Sequence, residues 1–380
     1  MKFVEIFRDK EVSKLMHGCD DFDIDEVLEI EMFKDSQMVL QKWCLQHLTP
    51  PFRFSNEKPL VIAPIETFAE SSFYEAKPVV SVFIIAYNHE AFIEQAIESV
   101  LEQDFKEPYE ILISDDASTD KTIAICRAYQ AKYPDKIAII SAKKNTEYRL
   151  RLWVQEMARG AYCAFLEGDD YWCSPTRLTR QVELMRSSQA DVCFGRTDRV
   201  KNDGSSTGEI MGMASVYDAA TGANPKALPH MSSWLFATDF LRDMKRAFGS
   251  LAIYSDMQIV PFACAMGKAV VLPEIISCYR LTGEGLWTRL SMSDSAWCVF
   301  TQWILSWAFL PKWYRTRQLW KSVQHAVLCV LKYSQTSEIE QHRIKILQAC
   351  WRATCPWWNV FAQINFRRRL RRYEKKVPRA

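Results

Sequence analysis

The apolar run at 79–86 constrains the fold of this chain more than any other feature. Its sequence, Val-Val-Ser-Val-Phe-Ile-Ile-Ala, contains one polar side chain and no alternation of polar with apolar residues. Such a run is typical of a strand buried on both faces of a parallel sheet. Further strand patterns alternate with helical patterns, the strands at 109–114, 137–140 and 161–166 and the helices at 91–101, 121–132 and 153–159. This alternation predicts βαβ units and an α/β fold with a mostly parallel central sheet.

The same patterns divide the 380 residues into three regions. Residues 1–77 are acidic and helix-patterned, and we interpret them as an N-terminal extension. The α/β domain is expected at 78–290, with a first half at 78–185 and a second half at 186–290. Residues 291–380 are expected to form a basic, Trp-rich helical region.

Cysteine usage and hydropathy narrow the class of protein. The 12 cysteines form no Cys-x-x-Cys or zinc-finger spacing, so we expect buried thiols rather than a structural zinc site. The first ten residues carry charges where a signal peptide would be apolar. The apolar stretch at 297–310 is shorter than the roughly 20 residues that a spanning helix needs. We therefore expect a cytoplasmic protein.

Carboxylates follow two of the predicted strands. Asp115-Asp116 comes after the second strand, and Glu167-Gly168-Asp169-Asp170 comes after the fourth. Parallel sheets bind ligands at the carboxyl ends of their strands. Clustered acids repel unless a cation or donors compensate, and Mg²⁺ or Mn²⁺ suits carboxylates together with phosphate oxygens. The pattern favours a metal–diphosphate site, whereas any one of these aspartates could instead cap a helix or turn.

Four segments resemble glycosyltransferase family 2 in order and spacing: Val-Ser-Val-Phe-Ile-Ile-Ala-Tyr-Asn at 80–88, Ile-Glu-Ser-Val-Leu-Glu-Gln at 97–103, Asp-Asp-Ala-Ser-Thr-Asp at 115–120 and Leu-Glu-Gly-Asp-Asp-Tyr-Trp at 166–172. The resemblance extends from about residue 79 to residue 287. It implies the GT-A fold, a nucleotide-sugar donor and an inverting transfer.

The resemblance also implies roles for individual donor-site residues. Ala86, Tyr87 and Asn88 would contact the donor, with the ring of Tyr87 against the base. Asp116 would accept a hydrogen bond from the base edge of a uridine or thymidine nucleotide. Arg149 or Arg151 would pair with the diphosphate.

The metal motif departs in part from the family pattern. Asp169 and Asp170 occupy it, and the resemblance implies Asp170 as the direct ligand of Mg²⁺ or Mn²⁺, with Asp169 nearer the sugar or ribose. Glu167 stands where many members have the first Asp of Asp-x-Asp. Ile85 stands where relatives often have Thr or Pro.

The second half of the domain resembles the acceptor half of bacterial members. By that match Asp256 is the base that takes the proton of the acceptor hydroxyl, although it could also simply open a helix. Arg280 would hold the diphosphate, with a surface salt bridge as the alternative. His230 and Trp287 would lie near the acceptor, and His230 could equally be a hydrogen-bonded structural residue.

Charge is distributed unevenly along the chain. Residues 312–379 contain 16 Lys and Arg against 3 acidic residues, whereas the whole chain has a net charge of +2. Eight of the 13 tryptophans fall between 297 and 358. Basic and aromatic residues on helices suit an anionic membrane surface or a protein partner. A helical cap with a tryptophan core is the other interpretation, and nucleic acid is not expected as a partner.

These features lead to one function and one rival. We expect a metal-dependent transferase that acts on a glycan or lipid-linked glycan in the synthesis of capsule or lipopolysaccharide. The rival is a non-catalytic scaffold with the same fold in a polysaccharide assembly complex. A sugar nucleotidyltransferase is disfavoured, because the Gly-rich signature expected after its first strand is absent.

Overall fold

The computed structural model describes most of the chain beyond residue 64. The described residues are 65–146, 150, 157–248, 256–283, 290–310, 316–334, 344, 347–348, 351 and 360–374. They form two compact units. Of the described residues, those within 65–222 and 226–283 form the sheet unit, and those at 223–225 and from 290 onward form the helical unit.

In the described part of the chain, the sheet unit contains ten strands. Their bounds are β1 Ile65–Phe68, β2 Val80–Ala86, β3 Tyr109–Asp115, β4 Ile137–Ala142, β5 Tyr162–Glu167, β6 Tyr171–Trp172, β7 Val192–Val200, β8 Ser206–Met211, β9 Leu235–Ala237 and β10 Ala269–Arg280. The strand order is β1-β4-β3-β2-β5-β9-β7-β10-β6, and β8 pairs with β7. Strands β4, β3, β2 and β5 are mutually parallel, as are β7 and β10.

Helices pack on this sheet and build the second unit. In the sheet unit they are α1 Ser71–Glu75, α2 Ile93–Leu101, α3 Thr122–Lys132, α4 Arg177–Ser188, α5 Ala219–Gly222, α6 Thr238–Phe248 and α7 Asp256–Met266, with a 3₁₀ turn at Met231–Ser233. In the helical unit they are α8 Met292–Phe309, α9 Arg317–Tyr333 and α10 Val360–Glu374. Among the described residues, no helix combines the length and apolar character needed to cross a bilayer.

The four strands that the sequence predicts are confirmed within one or two residues at each end. Every residue of β2 and β3 is buried, which explains why β2 shows no polar–apolar alternation. Helices α2 and α3 match their predicted ranges. The helix predicted at 153–159 lies largely outside the described residues.

The sheet begins earlier than the predicted domain boundary at residue 78. Strand β1 pairs antiparallel with β4, with Ile65 opposite Ala142. Its four residues are too few for a periodic signal, so the sequence pattern did not reveal the strand. In the second half of the domain, a 3₁₀ turn at Met231–Ser233 leads into the short β9.

A buried ion pair fastens the amino ends of the central strands. The carboxylate of Glu110 on β3 accepts hydrogen bonds from Ser81 Oγ at 2.6 Å and from Arg159 Nε at 2.7 Å. Arg159 also donates to the carbonyl of Phe73 at 2.8 Å. Glu110 is 2% exposed, so its charge depends on these donors.

We expect Glu110→Ala to lower the free energy of unfolding by about 3–5 kcal/mol, because it leaves the Arg159 charge without its carboxylate. The control is Glu107→Ala, which removes a surface pair with Arg186 whose side chains are 41% and 47% exposed. It should cost at most about 1 kcal/mol. Urea unfolding measures both, and equal losses would contradict the role given to Glu110.

Candidate active site

The loops that follow β2 and β3 are joined by hydrogen bonds. Asn88 N donates to Ser118 Oγ at 2.9 Å, and Asn88 Oδ1 accepts from Thr119 N at 2.8 Å. Glu90 accepts from Lys121 N at 2.9 Å. Asn88 has φ 55°, a left-handed conformation that Asn tolerates better than most residues. The side chain of Asn88, which we predicted to contact the donor, thus braces the loop beside that site.

The predicted base-binding residues lie together at the carboxyl ends of these strands. The carbonyl of Ala86 accepts from Asp116 N at 2.9 Å, and Tyr87 follows it half-buried. Asp116 Oδ1 accepts from both the amide and the hydroxyl of Thr146 at 2.7 Å. Thr146 therefore orients Asp116, a contact between distant segments that the sequence pattern did not indicate.

The Asp170 carboxylate lies in the interior and is 1% exposed. Its Oδ2 accepts from Ser232 Oγ at 2.6 Å, and its Oδ1 accepts from Arg280 N at 3.0 Å. Burial, followed by the negative charge of Asp169, raises the pKa of Asp170 well above its ordinary value. Both oxygens of the residue that we predicted to bind the metal directly are thus engaged by protein donors.

The side chain of Arg280 also holds the turn that contains Asp169 and Asp170. Its Nε donates to the carbonyl of Asp169 at 3.0 Å, its Nη1 to that of Asn202 at 2.8 Å and its Nη2 to Gln95 Oε1 at 2.6 Å. The side chain also packs over the ring of Phe92, 4.8 Å from its centroid. All three side-chain nitrogens donate to protein acceptors and the residue is buried, so Arg280 does not form a surface salt bridge; its contact with a diphosphate stays a prediction.

The Asp169 carboxylate is the more accessible member of the pair. It is 16% exposed, and its Oδ2 lies 4.0 Å from Nε2 of His89, which is 20% exposed. Gly168 provides the space for this ring, because a Cβ there would lie 2.7 Å from His89 Nδ1 and 3.0 Å from the Ile85 carbonyl. The sequence analysis missed His89, although it follows directly on the Tyr87-Asn88 motif.

His230 lies against the buried carboxylate. Its Nδ1 is 3.5 Å from Asp170 Oδ2, and its ring stacks on Tyr279 with centroids 4.3 Å apart. Burial, together with the positive charge of Arg199, lowers the pKa of His230 to about 3. The imidazole is therefore neutral near pH 7, in keeping with the structural interpretation that the sequence left open.

Arg177 supports the segment around His230, and sequence reasoning missed it. This fully buried side chain donates to the carbonyls of Ser232 and Trp234 and stacks on the ring of Trp172, 3.8 Å from its centroid. Burial lowers its pKa to about 9. Its only sequence signal is its position at the start of α4, shortly after the acidic motif.

Of the remaining predicted residues, only Asp256 lies within the described part of the chain. Asp256 is the first residue of α7 and is half-buried. Arg149, Arg151 and Trp287 lie outside the described residues.

The described residues contain no cluster of three or more His, Cys, Asp or Glu side chains arranged to hold a metal ion. Mg²⁺ usually takes one or two carboxylates and completes its shell with water and substrate phosphate. The partly exposed Asp169, next to His89, fits a cation that a bound diphosphate helps to hold.

The sequence profile described as glycosyl transferase family 2 matches residues 81–276, slightly more than half of the chain. The chain belongs to glycosyltransferase family 2. The matched range begins in β2 and ends in β10, and it includes both carboxylate motifs and Asp256.

Individual relatives match over part of their length. An uncharacterised protein of Mycobacterium tuberculosis is 29% identical over 218 residues, which cover 54% of this chain and 60% of that protein. The poly(ribitol-phosphate) beta-glucosyltransferase of Bacillus spizizenii is 30% identical over 128 residues, which cover 33% of this chain and 20% of that enzyme. The chain thus spans less than two thirds of the length of either relative.

A solved structure supports the fold. Residues 1–349 of TarS from S. aureus, in complex with UDP, align with a TM-score of 0.53 at 17% identity, over 78% of this chain and 90% of that fragment. This likeness, with the mostly parallel sheet, confirms the predicted GT-A fold.

The neutral His230 predicts a pH dependence of stability. In the folded protein the pKa of His230 is about 3, whereas its ordinary value is 6.5. Between pH 6.5 and about pH 3, the unfolded chain therefore binds the proton of His230 more readily than the folded protein does. The free energy of unfolding should therefore fall as the pH is lowered through this window. We expect a shallower fall in His230→Gln, measured by urea unfolding between pH 7 and 4.5.

Exposed His325 provides the control, and His325→Gln should keep the wild-type slope. Asp170 titrates with the opposite sign, since its raised pKa favours the folded state at low pH, and it is present in all three proteins. Identical slopes for wild type and His230→Gln would mean that His230 binds its proton as readily in the folded protein as in the unfolded chain.

Proposed function

We propose that this chain is an inverting glycosyltransferase that moves a sugar from a nucleoside-diphosphate sugar to a glycan or lipid-linked glycan. The Asp169–Asp170 turn carries the proposal. There a buried aspartate and Arg280 fix the backbone, and the neighbouring carboxylate stays accessible at the carboxyl edge of the sheet. This is the position at which parallel sheets bind ligands.

We propose Asp169, rather than Asp170, as the carboxylate that holds Mg²⁺ or Mn²⁺. Asp170 directs both oxygens to Ser232 and Arg280, whereas Asp169 is partly exposed beside His89. When bound, the cation would neutralise the charge of the departing diphosphate.

The donor nucleotide is proposed to be uridine- or thymidine-linked. Tyr87 stacks on the base, and the carboxylate of Asp116, oriented by Thr146, accepts the imino N–H of the base. Arg149 or Arg151 pairs with the diphosphate. The UDP complex of TarS, which shares the fold, supports a uridine nucleotide.

Asp256 is proposed as the general base. Its carboxylate takes the proton of the acceptor hydroxyl as that oxygen attacks the anomeric carbon on the face opposite the diphosphate, which inverts the configuration. His230 and Trp287 are proposed to flank the acceptor. Similarity to the poly(ribitol-phosphate) beta-glucosyltransferase supports an acceptor in a surface polysaccharide such as capsule or lipopolysaccharide.

Two aspartate variants test the assignment. Asp256→Asn should retain Mn²⁺-dependent UDP binding and lose sugar transfer by about 10²-fold or more, because a general base contributes about that factor. Asp169→Asn should weaken the Mn²⁺-dependent binding itself. Calorimetry with UDP, dTDP and GDP, each with and without Mn²⁺, measures binding, and release of nucleoside diphosphate measures transfer.

The control is Asp239→Asn, which changes a first-turn aspartate of α6 whose side chain is 97% exposed. It should leave both measurements unchanged. Full transfer by Asp256→Asn would reject Asp256 as the base. Absence of metal-dependent binding to any of the three nucleotides would favour the scaffold instead.

We also propose that α10 binds an anionic membrane surface. Arg367, Arg368, Arg371 and Arg372 are exposed, and in the described part of the chain none of them forms an ion pair. Phe366 lies on the buried side of the helix and stacks on Trp351, with centroids 4.5 Å apart. The helix thus has an apolar inner side and a cationic outer side.

Replacing these four arginines with Gln should weaken binding to vesicles that contain anionic phosphatidylglycerol. We expect a loss of at least tenfold, because each cation contributes about 1 kcal/mol at such a surface. Co-sedimentation measures this, with neutral phosphatidylcholine vesicles and the α9 variant Arg317→Gln/Lys321→Gln as controls. Equal binding to both vesicle types would exclude an electrostatic membrane contact.

A further inference from the structure

The backbone of His89 is held from two directions at the carboxyl edge of the sheet. Its amide donates to Thr122 Oγ1 at 2.8 Å, and Thr122 is a buried residue that begins α3. Its carbonyl accepts from the amides of Phe92 and Ile93, both at 2.9 Å, where α2 begins. The helices that follow β2 and β3 therefore fix the position of His89 together.

The two ring nitrogens of His89 have different surroundings. Nδ1 is buried beside Gly168 and has no hydrogen-bond partner in the part of the chain that the structure describes. A proton on Nδ1 would be buried without an acceptor, which is unfavourable, so the ring N–H belongs on Nε2. The side chain is 20% exposed, and Nε2 lies 4.0 Å from Asp169 Oδ2, which is beyond hydrogen-bond distance. Nε2 is thus a donor that lies beside the accessible carboxylate without being bonded to it.

The same arrangement disfavours His89 as a metal ligand. A histidine that binds a metal through one ring nitrogen usually donates from the other nitrogen to a carboxylate or a backbone carbonyl. Nδ1 of His89 has no such acceptor among the described residues. Nε2 is therefore better suited to donate to an oxygen of a ligand than to bind a cation.

A diphosphate at this edge of the sheet would lie among carboxylates and would need donors. Asp169 and Glu167 are close enough for their charges to act on Asp170. Arg280 directs its three side-chain nitrogens to protein acceptors. Phosphate oxygens form strong hydrogen bonds with N–H donors. The N–H of His89 is a donor at this position that adds no negative charge.

We propose that His89 Nε2 donates a hydrogen bond to a phosphate oxygen of the donor nucleotide. The contact rests on the proposed function, because it requires the diphosphate to lie at the Asp169–Asp170 turn. It gives His89 a role in recognising the diphosphate rather than the base. Removal of the donor should therefore weaken the binding of UDP and leave the binding of uridine, which has no phosphate, unchanged.

Two substitutions of His89 test the contact. His89→Leu removes both ring nitrogens, whereas His89→Gln keeps a side-chain N–H donor. Calorimetry measures UDP directly and uridine as a competitor of UDP. We expect the ratio of UDP affinity to uridine affinity to fall by about tenfold or more in His89→Leu, as for the loss of a hydrogen bond to a charged group. His89→Gln should recover most of this loss.

The ratio separates the proposed contact from a structural role. A change in the shape of the loop would weaken UDP and uridine equally, and an unchanged ratio in His89→Leu would overturn the proposal. The matched control is His325→Leu, which replaces an exposed histidine of α9. It should leave both affinities at their wild-type values.

Titrations of UDP with Mn²⁺ and with EDTA separate a direct contact from an effect on the metal. We expect Mn²⁺ to strengthen UDP binding by the same factor in wild type and in His89→Leu, because Asp169 is unchanged. Loss of this factor would mean that His89 acts through Asp169 and would overturn the direct contact. Absence of UDP binding by the wild-type protein would reject the proposed nucleotide site together with the contact, whereas wild-type binding with an unchanged ratio in His89→Leu would reject the contact alone.

Discussion

The buried carboxylate of Asp170 is the interaction on which the candidate site depends. Burying a carboxylate is costly unless hydrogen bonds replace its water. Ser232 and the amide of Arg280 provide them, and these donors come from two other elements, the 3₁₀ turn and the end of β10. Satisfying one group therefore fixes three segments together, and the accessible Asp169 is positioned as a result.

Arg177 provides a second layer of support. It is a buried cation that binds the carbonyls of Ser232 and Trp234. Trp172 donates to the same Ser232 carbonyl at 3.1 Å while its ring lies against the guanidinium. These contacts hold the 3₁₀ turn after residue 230 in place just before the chain enters β9.

In the helical unit, tryptophan and arginine side chains that are intermixed along the sequence differ in their exposure. Trp297, Trp303 and Trp351 are buried, so in the described residues these tryptophans belong to a core rather than to a membrane-facing surface. The arginines of α10 are exposed instead. The tryptophan core that the sequence offered as one interpretation is thus present in the described residues, and the membrane contact of the exposed arginines stays a proposal.

Three features could be predicted, because strand and helix periodicity and motif spacing are local properties. They are the succession of the first four parallel strands along the chain, the family motifs and the position of the acids at strand ends. The sequence alone thus determined the α/β class and the neighbourhood of the site. Only the tertiary structure decided that Asp170 is enclosed while Asp169 is accessible, and that Arg280 holds the turn. It also brought His89 to Gly168. These relations depend on contacts between residues about 80 to 110 positions apart, whose burial and donors no local pattern encodes.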